Sequence, residues 1–532
     1  MMKNKILAGG FIGLLLMAIL ALIIGCAGQP ARVRPVVIET EIVIVGAGGA
    51  GYSAALTAKE AGSRVIVIDK LPVFGGNTRV AGSAANAPNP ELQRLKTMSA
   101  SEIANLRELL ALPPHDAYMR RWQDSVRRDF DAHMARGYTH MFDSPDLHKL
   151  HTYVGGDFVA NPRLVEIFGD NAQNSLQWLA SLGGGWRREI SAIIGAMWPR
   201  SHMPDFTFGP LGSNFVMPQE KRFTQLGGTT LLEHRAERVI MERGRAVGIA
   251  GTTADGTPFE IRASKGVILA TGGFGANVEM RQRFNRHWPT LDASILTTNI
   301  AAAQGDGIVM AEAVGANLID MEWIQLVTSM PRGIPTASIS NTIYINIYGD
   351  RFIREDGRRD DIAGSVLAQP ESFFWWVADG HTIDDILGGI DTRGRVIRDQ
   401  VDNEQVFMAN TIEELARQIG VDPVRFRNAV NAFNAGVAGA PDPFGRQVFQ
   451  FPLTKAPFYA GYGIARVHYT MGGVEINEHC QVLDTSGRVI PGLFAAGEVT
   501  GGIHGANRLG GNAITEIITF GRIAGASAAA GR

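Results

Sequence analysis

Cysteine is nearly missing from this chain, whose 532 residues carry only two, Cys26 and Cys480. A four-cysteine zinc site, a cysteine-ligated iron–sulfur cluster and a CxxCH haem attachment are thereby excluded. An excess of either charge is missing too: 50 Lys and Arg stand against 52 Asp and Glu, for a formal net charge of −2. That balance leaves no electrostatic footprint for nucleic acid or an acidic membrane surface. Internal repeats of the solenoid kind are absent, and no metal site is expected. What remains, 45% hydrophobic and 19% charged residues, is the composition of a globular protein. At roughly 150 residues per domain, the length suggests two to four domains and a large core. Glycine is the outlier at 63 residues, and its clustering carries most of the reading below.

The chain opens MMKNKILAGGFIGLLLMAILALIIGC. Two lysines precede an apolar run from Ile6 to Ile24 that closes on Gly25 and Cys26, the layout of an export signal. Ile23-Ile24-Gly25-Cys26 also resembles a bacterial lipobox, in which the cysteine is lipidated. The expectation is a signal peptide over residues 1–25, a lipidated Cys26 and a short tether over 26–36; an uncleaved transmembrane anchor is the alternative. Either places the body outside the cytoplasm, membrane-anchored, in the periplasm or at the cell surface.

From Glu41 the sequence runs EIVIVGAGGAGYSAALTAKEAGSRVIVIDK. The β-branched stretch Ile42–Val45 predicts a strand, the alanine-rich stretch after Gly51 a helix ending at Gly62, and Val65–Ile68 a second strand ending at Asp69. In a dinucleotide-binding unit Gly46 makes the tight turn, Gly48 admits a pyrophosphate and Gly51 lets helix and strand pack closely. The pyrophosphate then rests on the helix N-terminus, and Asp69 accepts hydrogen bonds from the adenosine ribose. Distal glycine clusters separate NAD from FAD: VFGGNTRVAGSAANA, ILATGGFG, GDG at Gly305–Gly307, and GLFAAGEVTGGIHGANRLGGNAITEIITFGR near the C-terminus. An extended FAD draws on backbone donors from both ends of a long chain, whereas a nicotinamide cofactor rarely does.

These motifs, in this order from Glu41 to the C-terminus, resemble the soluble fumarate reductase and flavocytochrome c flavoprotein family, with urocanate reductases and ketosteroid Δ1-dehydrogenases as relatives. The resemblance implies an α/β fold, a Rossmann-like FAD-binding domain (37–321 and 470–532) with an inserted α+β capping, substrate domain (322–469). It implies non-covalent FAD, held by Asp69 at the ribose, by Asn77, Thr78 and Ser83 at its middle, by Asp306, by Glu498 at the ribityl chain, by Tyr469, and by backbone around Ala513 and Ile514 at the ring. Most members have glycine in place of Ser83 and a second histidine in place of Tyr469.

For catalysis the resemblance implies hydride transfer from flavin N5 to an activated C=C bond and a proton from an arginine. The motif GDRFIREDGRRDD places that arginine at Arg359, four residues after Glu355; by composition alone the segment reads as a solvated turn. His468 in VHYTMGG and Arg508 in HGANRLGGN correspond to a clamp on a substrate carboxylate, with Gly511 beside them. Arg508 is also the positive neighbour that would make a buried Arg359 acidic. The departures from the family are Val327 in place of a histidine after Trp323-Ile324-Gln325, and Ile334, Pro335 and Ser338 in place of a Thr-Glu pair and an arginine. The far end of the pocket is therefore expected to be apolar and the usual proton relay missing, with Glu322 and Asp360 as candidate replacements.

The expected partner is thus a small enoate, a mono-carboxylate with an apolar tail in preference to fumarate. With no haem or covalent-FMN segment, electrons are expected from an external donor: a quinol dehydrogenase, a cytochrome or an FMN protein. Fumarate or urocanate reduction proper, a ketosteroid-type dehydrogenase and a non-catalytic flavoprotein are the alternatives. For the leader, mass spectrometry of the mature N-terminus is expected to find a diacylated or triacylated Cys26; an intact chain starting at Met1 would replace the lipoprotein with a transmembrane anchor.

Overall fold

The computed structural model describes residues 34–532 apart from 83, 184, 206, 210, 211, 331–340 and 392–394. The leader and Cys26, Ser83, and Ile334, Pro335 and Ser338 lie outside the described residues. No described helix is long and apolar enough to cross a membrane.

The larger sheet has eight strands. Its main path runs Gln481–Leu483, Val489–Ala495, Pro258–Leu269, Val36–Val45, Val65–Ile68 and Thr229–Leu231. All neighbours on this path pair parallel except the first two. An antiparallel ribbon, His234–Glu242 and Arg245–Thr253, lies along the first half of Pro258–Leu269. The central strands are apolar on both faces, as a sheet covered on two sides requires. The first strand starts at Val36, inside the segment read as tether and well before Ile42. Glu39 and Glu41 interrupt the apolar run, yet Val36–Thr40 pair with Phe259–Ala263, and Glu41 meets Lys265 at 2.8 Å.

The turn after this strand is made as its glycines predict. Gly46 has φ +111°, and a Cβ on Gly51 would stand 1.8 Å from the Gly46 carbonyl oxygen, so no side chain fits there. The helix that follows, Gly49–Glu60, packs on the C-terminal helix, Asn512–Ala529. At Gly525 a Cβ would come within 2.2 Å of the Ala54 carbonyl oxygen. This contact brings the two ends of the chain to one crevice, at the carboxyl ends of the parallel strands, where open α/β sheets bind ligands.

A second sheet is antiparallel: Ile324–Ser329, Phe458–Thr470, Phe373–Asp379 and Ile343–Ile345 in that order, with Val406–Ala409 also paired to the long strand. Helices Ile412–Ile419 and Pro423–Val437 cover it around a separate core that includes Leu415, Phe426 and Phe433. Between the dinucleotide strands and this sheet, the helical stretch broken at Pro113-Pro114 resolves into Ala100–Ala111, capped by a Ser99/Glu102 box, and Ala117–Ala135, capped by Asp116.

The charged segment GDRFIREDGRRDD is not the solvated turn its composition suggests. Glu355 is 0% exposed and accepts from Arg351 (3.0 and 2.8 Å), Arg446 (2.9 Å) and the Tyr344 backbone N–H (3.0 Å). Arg351 also pairs with the buried Asp442 at 2.6 Å. Four groups that look soluble one by one are thus satisfied together inside the molecule, and the segment becomes a rigid support for the residues that follow. Glu355→Ala would take the shared carboxylate from two buried guanidiniums and is expected to destabilise the protein by about 3–5 kcal/mol, measured by denaturant unfolding; a loss under ~1 kcal/mol would mean that the network adds no more than a surface pair.

Candidate active site

The crevice at the strand ends is lined by Gly46, Gly48, Asp69, Asn77, Thr78 and Glu498, with Ala270, Thr271, Ile300 and Ile517 among the others. Six of the expected cofactor positions, from both ends of the chain, therefore meet in one cleft. The helix Gly49–Glu60 begins at Gly48 without a side-chain cap, leaving its N-terminus open to an anion. The Thr271 hydroxyl is buried without a partner on the cleft wall. Asp69 accepts from the Ala47 and Leu71 N–H groups at 2.9 Å each, Thr78 Oγ1 accepts from Gly49 at 3.1 Å, and Asn77 Oδ1 accepts from Ile300 at 3.0 Å. Asp306 pairs with Lys70 of the cleft at 2.6 Å. Ala513 and Ile514 form the first turn of the C-terminal helix, after Gly511 at φ +87°. A helix start held by the Thr78 hydroxyl at its first N–H and a glycine backbone lining the cleft together fit an extended dinucleotide such as FAD.

Beyond the cleft, Arg359 opens the helix Arg359–Leu367 and is buried. Its Nε and Nη2 donate to the Ile194 carbonyl at 3.0 and 2.7 Å, and its Nη1 lies 3.5 Å from Gln325 Oε1. Arg508, also buried, donates from Nη2 to the same Gln325 oxygen at 3.0 Å and from Nη1 to the Leu509 carbonyl at 3.0 Å. Gln325 in turn donates to Asn507 Oδ1 (2.7 Å) and the Arg508 carbonyl (2.8 Å), which fixes its amide orientation. Among the described residues neither arginine forms an ion pair with a carboxylate. Burial, and after it the charge of Arg508, lowers the pKa of Arg359 well below an ordinary guanidinium. Arg508 itself is lowered by burial, and its guanidinium lies over the Tyr469 ring, 4.6 Å from the centroid.

A bulge positions His468. Gln325 pairs with Tyr469 and Leu326 with Val467, so His468 is the extra residue on the long strand, and such bulges re-aim side chains. Its Nδ1 lies 2.7 Å from Thr298 Oγ1. Burial, then Arg508, Arg359 and Arg466, push its pKa well below the usual value, so the ring is neutral. Val327 lies two residues beyond Gln325 on the same face of its strand, about 7 Å further along, and pairs with Arg466. Gly511 is packed against Asn86, whose Nδ2 donates to the Gly510 carbonyl at 2.6 Å and to Asn512 Oδ1 at 3.0 Å.

The relay candidates do not reach Arg359. Asp360 is held by the guanidinium of Arg358 at 3.1 and 2.7 Å, and that arginine also grips Asp157 at 2.6 and 2.8 Å. Glu322 acts instead on Asp320, whose carboxyl is pushed up to about 6 by burial first. Two features escaped the sequence reading. Gln325 was quoted without a role, although a lone amide in an apolar strand is a usable signal. Ile194 contributes only a backbone carbonyl, which leaves no trace in residue identity.

The electrostatics of His468 can be tested directly. With 15N-labelled histidine, its ring is expected to stay neutral down through pH ~6.5, the ordinary imidazole value, and Arg508→Met should raise its pKa by removing a neighbouring positive charge. An imidazolium at neutral pH in the unaltered protein would overturn this electrostatic account.

The model of the FAD binding domain family matches residues 41–128 and 131–514. The NADH:acrylate oxidoreductase of Vibrio harveyi is 35% identical over 513 residues, covering 92% of this chain and 50% of that protein. The urocanate reductase of Eggerthella lenta is 34% identical over 513 residues, covering 92% of this chain and 75% of its own length. A flavocytochrome c3 fumarate reductase solved in its open conformation superposes with a TM-score of 0.68 at 31% identity, over 93% of this chain and 78% of that one. The chain thus spans half the length of one relative and about three quarters of the others. With the cleft described above, these matches show that the chain belongs to the FAD binding domain family and is an FAD-dependent oxidoreductase of the fumarate reductase type.

Proposed function

We propose that this chain is an exported reductase of α,β-unsaturated carboxylates, fed by a separate electron donor, and that it prefers a mono-carboxylate with an apolar substituent to fumarate. The observation that carries this reading is the pair Arg359 and Arg508, two buried guanidiniums with no carboxylate partner among the described residues and one shared amide oxygen. A fold leaves such charges unneutralised where a ligand anion completes them.

The residues divide the work. Arg508 offers a planar fork to one substrate carboxylate. His468 offers a neutral ring held through Nδ1 by the Thr298 hydroxyl, and in the tautomer that carries its proton on Nε2 that nitrogen donates to the same carboxylate. FAD, when bound, supplies the hydride. Arg359 holds the proton that must reach the other carbon, and its burial beside Arg508 is what makes a guanidinium willing to release it. The Ile194 carbonyl fixes the direction in which that side chain points. A ketosteroid-type dehydrogenase has no use for this arginine pair, and a non-catalytic flavoprotein none for the clamp.

Val327 supports the mono-carboxylate preference, as does the name of the Vibrio harveyi relative. A second carboxylate beside Val327 would meet an apolar side chain, with Arg466 across the strand pair already donating to the Thr297 carbonyl, which costs several kcal/mol, whereas an apolar group gains about 25 cal/mol per Å² buried. With FAD-loaded protein and a reduced viologen dye, acrylate or a cinnamate-type acid is expected to exceed fumarate in kcat/KM by at least ~10-fold, and Arg359→Ala to cut turnover by about 10²-fold or more with FAD retained. Fumarate equal or better would overturn the preference and bring Arg466, opposite Val327, into the pocket. Near-normal turnover of Arg359→Ala would remove Arg359 as the acid.

A further inference from the structure

Residues 296–300, LTTNI, join the cofactor cleft to the strand that carries His468. Thr297 forms a parallel bridge with Val467. The Val467 N–H donates to the Leu296 carbonyl, and the Thr298 N–H to the Val467 carbonyl, at 2.9 Å each. At the other end Ile300 lines the cleft beside Asn77. The reaction above has no use for Thr297 or Asn299.

A backbone N–H can only donate, and two of them fix the direction of every side-chain hydrogen bond between Asn77 and the ring. The Ile300 N–H donates to Asn77 Oδ1 at 3.0 Å, so Asn77 turns its Nδ2 to Asn299 Oδ1. Asn299 then presents its own Nδ2 to Thr297 Oγ1 at 2.9 Å and to the His468 carbonyl at 3.2 Å. Thr297 Oγ1 also accepts from the Asn299 N–H at 3.1 Å. Its lone pairs are thereby filled, and its single proton goes to the Val467 carbonyl at 3.1 Å. That carbonyl, already bonded to the Thr298 N–H, has no lone pair left for the Thr298 hydroxyl. Thr298 Oγ1 stands 3.4 Å from this oxygen but 2.7 Å from His468 Nδ1. Its proton is therefore directed to Nδ1, and the one proton of the neutral ring is left on Nε2.

We propose that this one-way chain of hydrogen bonds, from Asn77 in the cofactor cleft through Asn299, Thr297 and Thr298, sets the tautomer of His468, and that Thr297, Thr298 and Asn299 are positioning residues for the substrate clamp. A chain running the other way would turn a lone pair of the ring, instead of an N–H, toward an anion. The value of the device to the reaction rests on the reading of His468 as a donor to a carboxylate; the tautomer itself does not. The amide that sets the direction also lines the cofactor cleft, so cofactor site and clamp are parts of one hydrogen-bonded unit.

The test is 15N NMR of FAD-loaded, histidine-labelled protein at neutral pH without substrate. Among the twelve histidines, the His468 signals are those missing from His468→Gln. In the unaltered protein Nδ1 is expected at the shift of an unprotonated, hydrogen-bonded ring nitrogen and Nε2 at that of an N–H. Thr298→Val should move Nδ1 to the shift of an unbonded nitrogen, and Thr298→Ser should restore it. Thr297→Val acts from a distance: its hydroxyl has no bond to the ring, but losing it frees a lone pair on the Val467 carbonyl. The Thr298 hydroxyl can then turn to that carbonyl, and the Nδ1–H form is expected to rise about 5-fold or more, the worth of one ordinary hydrogen bond. A proton on Nδ1 in the unaltered protein, or ring shifts in Thr297→Val equal to those of the unaltered protein, would overturn the proposal. No enoate enters the measurement, so its failure is distinct from a failure of the carboxylate reading, which the dye assay decides.

Discussion

Holding Arg359 and Arg508 on the one amide oxygen of Gln325 sets desolvation and like-charge repulsion against folding at a single point, and much of the surrounding structure is arranged to bear that cost. Gln325 is locked by Asn507 and the Arg508 carbonyl, so it cannot rotate away from the charges it serves. The Ile194 carbonyl takes two more N–H groups of Arg359. The Tyr469 ring gives Arg508 a face rather than a counter-ion, so the charge is steadied without being neutralised. Every one of these partners is uncharged, and the electrostatic demand of the pair is left for a ligand to meet.

The same demand explains the histidine. A ring near Arg508, Arg359 and Arg466 cannot easily take a proton, so His468 stays neutral, and the bulge that makes it the extra residue of its strand aims it away from the regular alternation. The cleft follows the opposite plan. There the unusual groups are carboxyls, Glu498 and Glu516, raised by burial. Tyr469 stands near both kinds of group, with Arg508 over its ring and the charges of Glu516 and Glu498 acting on its hydroxyl.

Much of this was legible in the sequence because it rests on backbone constraints that only certain residues meet. Gly46 and Gly51 could be read with their reasons, and the cofactor positions distant along the chain converge on one crevice because the helices Gly49–Glu60 and Asn512–Ala529 pack at Gly525. The charged segment after Gly349 misled composition, since pairing among Arg351, Glu355, Asp442 and Arg446 is a tertiary property invisible along the chain. The start of the first strand was obscured by Glu39 and Glu41, whose charges a strand accepts near an exposed end. Ile194 could not have been found, because a carbonyl belongs to every residue.

Arg359 opens a helix between two strands of the second sheet, while the carbonyl that orients it belongs to the part of the chain preceding that sheet. The proposed acid is therefore assembled from two stretches far apart along the chain, and its lowered proton affinity depends on their contact. A guanidinium made acidic by exclusion of water recovers its ordinary affinity for protons once hydrated. Separation of the two stretches would at once disarm the group and let it recharge from solvent, so a buried chain of carboxylates leading to Arg359 is not a requirement of this arrangement. Opening and closing would then do for the proton what a relay does in a rigid protein, with each turnover limited to the single proton that was loaded before closure.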